Sequence, residues 1–450
     1  MKQKLSAGEL TSIASMLFGL FFGAGNLIFP IFMGHLAGGH VWQASLGLLV
    51  TGVGLPLLGV AAIGVSRSDG LIELSGKVGR GYSVFFTCAL YLTIGPLFAI
   101  PRCATVPFTV GVQPMLNDGA HPALALAVFS ALFFAVVLAF SLFPGRILTW
   151  VGRILNPAFL VLLGVLVVTA LLRPVGSATA APQGDYLARP FLTGFLDGYN
   201  TMDALASLAF GIIVIDVIRG RGIEEPRAVA KNTVKAGVFS CLLMAVIYVA
   251  VAVVGAQSRG DFENGGEAFA AVAEHYFGRF GMIVMAVIFT LACLKTAVGL
   301  VTSCSETFCK LFPRALSYRV WAVLFSVVSF LIANLGLTAI ITYAVPVLMF
   351  LYPLAITLIL LGLGGGLFGH SRTVYAFTTF FTLPAALLDL LGALPDGLRA
   401  ALRLDGFLAA VNRFLPLSGY GLGWVLPAAV GLVVGLLVWR LRGGRRPSAA

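Results

Sequence analysis

The chain has 450 residues, 59% of them hydrophobic and only 10% charged, with a mean hydropathy of +1.00 and a formal net charge of +11. Soluble domains carry roughly 25% charged residues, so this composition excludes one and predicts an all-α polytopic membrane protein. The pI of 9.6 invites a nucleic-acid partner, but no such binding motif accompanies it, and the positive charge falls in short loops suited to anionic lipid.

Twelve apolar segments are long enough to span a bilayer, which takes about 20 apolar residues: 10–33, 42–65, 82–112, 121–142, 147–172, 190–218, 232–256, 281–304, 318–335, 338–363, 373–394 and 422–441. The first is too long, and leads too directly into the next, for a cleavable signal peptide. In its middle stands Gly23-Ala24-Gly25-Asn26, with Pro30 one turn on. Glycine is a poor helix former and proline cannot donate to the helical ladder. The sequence therefore predicts a break. Unpaired backbone at membrane depth is tolerated only where it is buried in protein or lines a cavity. The third span contains Pro96, Pro101 and Pro107, which predict kinks, and a deep cation, Arg102.

The sixth span reads Phe191 to Asp197, then Gly198-Tyr199-Asn200-Thr201-Met202-Asp203, before apolar sequence resumes. Gly198 and Asn200 are turn residues, and an acid inside an apolar span is a functional candidate by default. The segment 265–280 reads as an amphipathic helix capping the outer surface. In the eighth span, Lys295 lies about 14 residues from the outer end, about 21 Å deep at helical rise. Such a lysine pairs with an acid or with carbonyls, or sheds its charge for part of a cycle. With the N-terminus inside and alternating spans, inside segments hold twenty Lys and Arg and outside segments seven, and Arg102 and Lys295 fall within spans. The positive-inside rule predicts that asymmetry and places both termini in the cytoplasm.

Interruptions in the first and sixth spans fit two five-helix repeats, about 8–173 and 188–364, of inverted topology, with two further helices over about 373–442. The whole chain, 1–450, then forms a single transmembrane transport domain. No C-x-x-C pair, ligand-spaced histidines, P-loop or nucleophile elbow is present, so an enzyme reading has no support. Helix N-termini at the breaks offer free N–H groups to an anion, and the C-terminal ends offer carbonyls to a cation. An α-amino acid carries both charges. Gly23, Ala24 and Gly25 have little side chain, so a carboxylate can approach their N–H groups. The Asn26 amide oxygen can accept from an ammonium or bind Na⁺. Phe18, Phe22, Phe195 and Tyr199 could wall an apolar side chain, with Asn200 and Thr201 at the break. Asp203 could counter an ammonium, take part in proton coupling, or serve as a structural partner of Arg102 or Lys295. The bland alternative for Gly23–Asn26 is close helix packing through small residues.

Four stretches in order, Phe22-Gly-Ala-Gly-Asn-Leu-Ile-Phe-Pro30, Gly95-Pro-Leu-Phe-Ala-Ile-Pro-Arg102, Gly198-Tyr-Asn-Thr-Met-Asp203 and Leu291-Ala-Cys-Leu-Lys-Thr-Ala-Val-Gly299, resemble the bacterial branched-chain amino acid:cation symporter family. The family looks related to the broken-helix fold of the sodium-coupled leucine transporter. The resemblance implies that Gly23, Ala24 and Gly25 contact the substrate carboxylate and that Asn26 is a side-chain Na⁺ ligand. It also implies that the carbonyls of Gly19 and Phe22 belong to a second Na⁺ site, completed from the eighth span by Ala292 and Thr296. Lys295 stands where that fold's sodium-binding members have a hydroxyl, and Thr109 where the family often has an acid. The expectation is a carrier of the bacterial inner membrane that imports leucine, isoleucine and valine by alternating access. A Na⁺ or H⁺ gradient drives it, with no other cofactor, no nucleic acid and no obligate protein partner. If the Lys295 ammonium replaces a cation, coupling to protons or weak sodium dependence follows. The alternatives are a same-fold symporter for another small substrate and, more remotely, a channel.

Overall fold

The structure, a computed structural model, describes residues 4–66, 68–116, 121–142 and 156–443. The start of the fifth expected span, 147–155, and the basic residues Lys2, Arg67, Arg146, Arg153, Arg445 and Arg446 lie outside the described residues. The described chain is helical without strands. Seven helices are long and apolar enough to cross a membrane, and the bent pair Pro190–Thr201 and Asp203–Arg219 makes an eighth. Shorter apolar helices cover Ala7–Phe21, Phe159–Leu172, Tyr318–Ala333 and Val425–Leu441. Because Ala7–Phe21 continues into Gly25–Ala37, and Val41–Val65 follows as a separate pass, about twelve spans result, as the hydropathy predicts.

Both expected breaks are present. The first span begins with a capping box, Ser6 and Glu9 bonding each other's backbone, which fixes its start. It winds to Phe21, stops over 22–24, and restarts at Gly25. Gly25 and Asn26, expected within the gap, open the second half-helix instead. The sixth span winds from Pro190 to Asp197, tightens into a 3₁₀ turn over Gly198–Thr201, passes through Met202 at φ 61°, and restarts at Asp203. The half-helices of this pair meet at 43°.

The two broken spans pack reciprocally. The first lies against the seventh, Pro226–Gln257, and the sixth against the second. Glycine permits both approaches. A Cβ at Gly34 or Gly255 would strike the Ala252 or Ile31 carbonyl, and one at Gly194 would strike the Ala44 carbonyl. The second span contributes a π-turn, Val50–Gly54, against the sixth-span break, where the Thr51 hydroxyl donates to the Phe195 carbonyl at 2.7 Å. A Cβ on Gly198 would overlap that hydroxyl.

The third span is irregular where its prolines stand. A π-turn over Thr93–Leu97 contains Gly95 at φ −98°, ψ −124°, and a second covers Phe108–Val112. The expected helix within 265–280 is present and is set off from the eighth span by non-helical Gly278 (φ 58°, ψ −159°), so that Gly265–Leu311 comprises two helices meeting at a kink. In the first of these, Phe269 and Val272 are buried, and Gly265 abuts the Ile28 carbonyl. Loop ties sort the ends of the bundle. Arg221 pairs with Glu9 at 3.7 Å and Lys77 donates to the Ser66 carbonyl near His370 at one end. At the other, Gly39 bonds Ala180, the Tyr276 hydroxyl bonds the Arg173 carbonyl, and Arg189 bonds the Gly419 carbonyl.

Candidate substrate site between the two breaks

At the first break the helix stops because Asn26 takes the place of a backbone acceptor. Its Oδ1 receives the Gly23 N–H at 2.7 Å, the group that would otherwise bond the Gly19 carbonyl. The N–H groups of Ala24, Gly25 and Asn26 make no hydrogen bond among the described residues, and neither do the carbonyls of Gly19 and Phe22. A helix orphans four N–H donors at its N-terminal end and four carbonyl acceptors at its C-terminal end. Here both sets are orphaned together inside the bundle, where water is scarce.

The Asn26 amide also reaches the sixth span. Its Nδ2 donates to Asp203 Oδ2 at 2.8 Å and lies against the Tyr248 hydroxyl. That hydroxyl in turn donates to the same carboxylate oxygen at 2.6 Å. Asn26, Asp203 and Tyr248 are all at most 2% exposed. Asp203 Oδ1 accepts none of these bonds. Thr201 bonds back to the Gly198 carbonyl at 2.9 Å. Arg102, buried against the other side, donates to the Asn200 carbonyl at 2.8 Å and to Met202 Sδ at 2.9 Å, and lies 5.2 Å from the centre of the Phe29 ring.

These groups enclose one cavity of about 50 Å³, lined by Gly23 to Asn26, Arg102, Thr201, Asp203 and Thr296, with Leu20, Phe21, Ile94, Phe210 and Leu300 as apolar wall. Such space holds a few waters or an ion, at roughly 10–15 Å³ each. An amino-acid side chain enters only if the walls part. Thr296 brings the eighth span to the break, since a Cβ on Gly23 would sit 3.3 Å from its Cγ2. Its hydroxyl bonds back to the Ala292 carbonyl at 3.3 Å.

Several expected residues stand elsewhere. Phe195 and Tyr199 pack outside the lining. The Tyr199 ring stacks on Tyr352 at 3.9 Å, and its hydroxyl is buried beside Trp424 without a hydrogen-bond partner. Asn200 serves through its carbonyl. Phe18 and Phe22 stack on each other at 4.8 Å, and Phe22 meets Phe159. Gly19, Phe22, Ala292 and the partly buried Lys295 are also outside the lining. Thr109 is buried against Gly266. Sequence reasoning missed Tyr248, the third member of the Asp203 network. A single hydroxyl-bearing side chain in the apolar stretch 241–256 of the seventh span was the available signal.

The chain matches, over residues 6–442, the family described as branched-chain amino acid transport protein. It belongs to that family. It is 52% identical to the branched-chain amino acid permease BrnQ of Lactobacillus delbrueckii subsp. lactis, over 96% of both chains. It is 42% identical to the branched-chain amino acid transport system 2 carrier protein of Pseudomonas aeruginosa, over 99% of both. Among solved structures it shares the fold of Mhp1, a nucleobase-cation-symport-1 family transporter in a closed conformation with bromovinylhydantoin bound. The TM-score is 0.59 at 17% identity, over 98% of this chain and 94% of that one. The family is one of multi-pass membrane transporters, not of enzymes, and the broken-helix architecture agrees with it.

Proposed function

We propose that the chain is a secondary active carrier that imports leucine, isoleucine and valine across the bacterial inner membrane by alternating access. The observation that carries this reading is the pairing of free N–H groups at the first break with the open Asp203 oxygen in one small cavity. The first suits a carboxylate and the second an ammonium, and Leu20, Ile94, Phe210 and Leu300 suit a branched apolar side chain. The names of the relatives point to the same substrate class. The nearly shut cavity opens to one side as half-helices pivot about the breaks. Reciprocal packing of the first span on the seventh and the sixth on the second supports the inverted repeat. The excess of basic residues at one end supports cytoplasmic termini.

For coupling, the reading is a proton-driven or weakly sodium-dependent cycle, with Lys295 in the place of a sodium-site hydroxyl. The free carbonyls of Gly19 and Phe22 suit a cation. Both ends of the Asn26 amide, however, are already engaged within the protein. Uptake of labelled leucine into proteoliposomes tests both parts. The expected result is saturable uptake with counterflow, competed by isoleucine and valine and sustained without a Na⁺ gradient. Non-saturating flux without counterflow overturns the carrier in favour of a channel. Strong Na⁺ dependence of the natural protein overturns the coupling reading. The substitution Lys295→Ser should raise Na⁺ dependence.

A further inference from the structure

We propose that Arg102 anchors the substrate's carboxylate, so that the site selects molecules carrying both an anionic and a cationic end. This rests on the amino-acid-carrier reading above and names a specificity-determining residue within it. Arg102 is only 3% exposed, deep in the third span. A charge there is costly to bury and persists when it has a partner or a task. Among the described residues no carboxylate lies within the 4.0 Å of an ion pair. Asp203, in the same cavity, gives Oδ2 to Asn26 and Tyr248 instead.

Arg102 has five N–H donors. The Asn200 carbonyl and Met202 Sδ take two, and both acceptors are neutral. The Phe29 face steadies the guanidinium through a cation–π contact. Three of its donors are not taken by these acceptors, and Arg102 lines the same cavity as Ala24 and Gly25, whose N–H groups are free. That geometry matches a planar carboxylate, which accepts two parallel N–H bonds from arginine. The cavity then holds one positive and one negative side chain, the complement of a zwitterion.

The rival role is purely architectural, with Arg102 closing off the orphaned Asn200 carbonyl at the sixth break. That role affects every ligand alike. The test compares leucine with isoamylamine, which keeps the side chain and ammonium but lacks the carboxylate. The readout is the ligand concentration that raises the melting temperature of the purified full-length protein. The natural protein should need at least ~100-fold more isoamylamine than leucine, the scale of losing charge-assisted hydrogen bonds. Arg102→Gln should weaken leucine ~100-fold and isoamylamine less than threefold. Arg102→Lys keeps the charge without the fork and should weaken leucine ~10-fold, which keeps the question open to measurement if the glutamine variant misfolds. Equal losses for both ligands, or full retention of the preference for leucine, overturn the anchor. Equal response of the natural protein to the two compounds overturns it as well. A natural protein that does not respond to leucine at all overturns the carrier reading itself.

Discussion

The two breaks look alike in sequence, each a glycine-bearing tetrad with an asparagine, yet their backbones are paired very differently. At the first, 22–24, the Gly23 N–H donates to the Asn26 side chain across the gap, and among the described residues three neighbouring N–H groups stay free. At the sixth, a 3₁₀ turn, the left-handed Met202, the Thr201 hydroxyl and the Arg102 guanidinium satisfy most of the chain. Unmade backbone bonds inside a membrane are expensive, and those of the first break lie where Gly23 to Asn26 line the cavity. The sixth is a joint most of whose polar groups are satisfied, and it places Asp203 in the lining of the cavity. On the proposed function, the first break binds through backbone and the sixth through a side chain.

The largest expected effect comes from Asp203→Asn. The change keeps the shape and still offers an oxygen to Asn26 and Tyr248, but it removes the charge that faces an ammonium. Loss of a charge-assisted bond in a dry site predicts about a 100-fold drop in uptake efficiency, measured as initial rates against concentration. A drop below threefold breaks the assignment of the cationic end to the sixth span.

A paired substitution sharpens the contrast. At Gly25, a Cβ would stand 3.3 Å from the Phe29 ring and 3.7 Å from Thr201 Cα, at the mouth of the free N–H groups. Gly25→Val should cut uptake ~30-fold and leave the melting temperature within a few degrees, because it fills ligand space. Gly198→Ala does the opposite. Its methyl runs into the Thr51 hydroxyl, an overpacking cost of about 1–3 kcal/mol that appears as a lower melting temperature with little change in KM. Reversed outcomes would mean that the sixth break, not the first, is the ligand-facing backbone.

Much of this arrangement was legible in the chain. Hydropathy reveals the spans because lipid demands about 20 apolar residues each, and glycine beside asparagine in such a run has few uses other than unwinding. The acid at Asp203 and the cation at Arg102 advertise themselves by their cost. What sequence could not reveal was direction. Phe195 sits just before the sixth break and Tyr199 within its 3₁₀ turn, but the local winding sets their direction, and Tyr199 faces Tyr352 and Trp424 instead of the cavity. The real wall comes from Ile94, Phe210 and Leu300 on three spans far apart in sequence. Tyr248 joins the Asp203 network only because the seventh span packs on the first, a long-range contact with no local signature.

The smallest expected effect bears on the eighth span. Thr296 stands beside the first break, its methyl and hydroxyl 3.3 and 3.5 Å from where a Cβ on Gly23 would sit, and the hydroxyl donates to the Ala292 carbonyl at 3.3 Å. Hydroxyls that bond back to the helix contribute little elsewhere. Valine keeps a methyl beside Gly23 and loses only that internal bond. Thr296→Val should therefore change leucine uptake less than threefold, with or without a Na⁺ gradient. A larger loss confined to the sodium condition would mean that the hydroxyl turns away from its own helix to hold an ion during the cycle. Lys295 would then stand beside a working sodium site instead of in its place, and the first break would serve the coupling cation as well as the substrate.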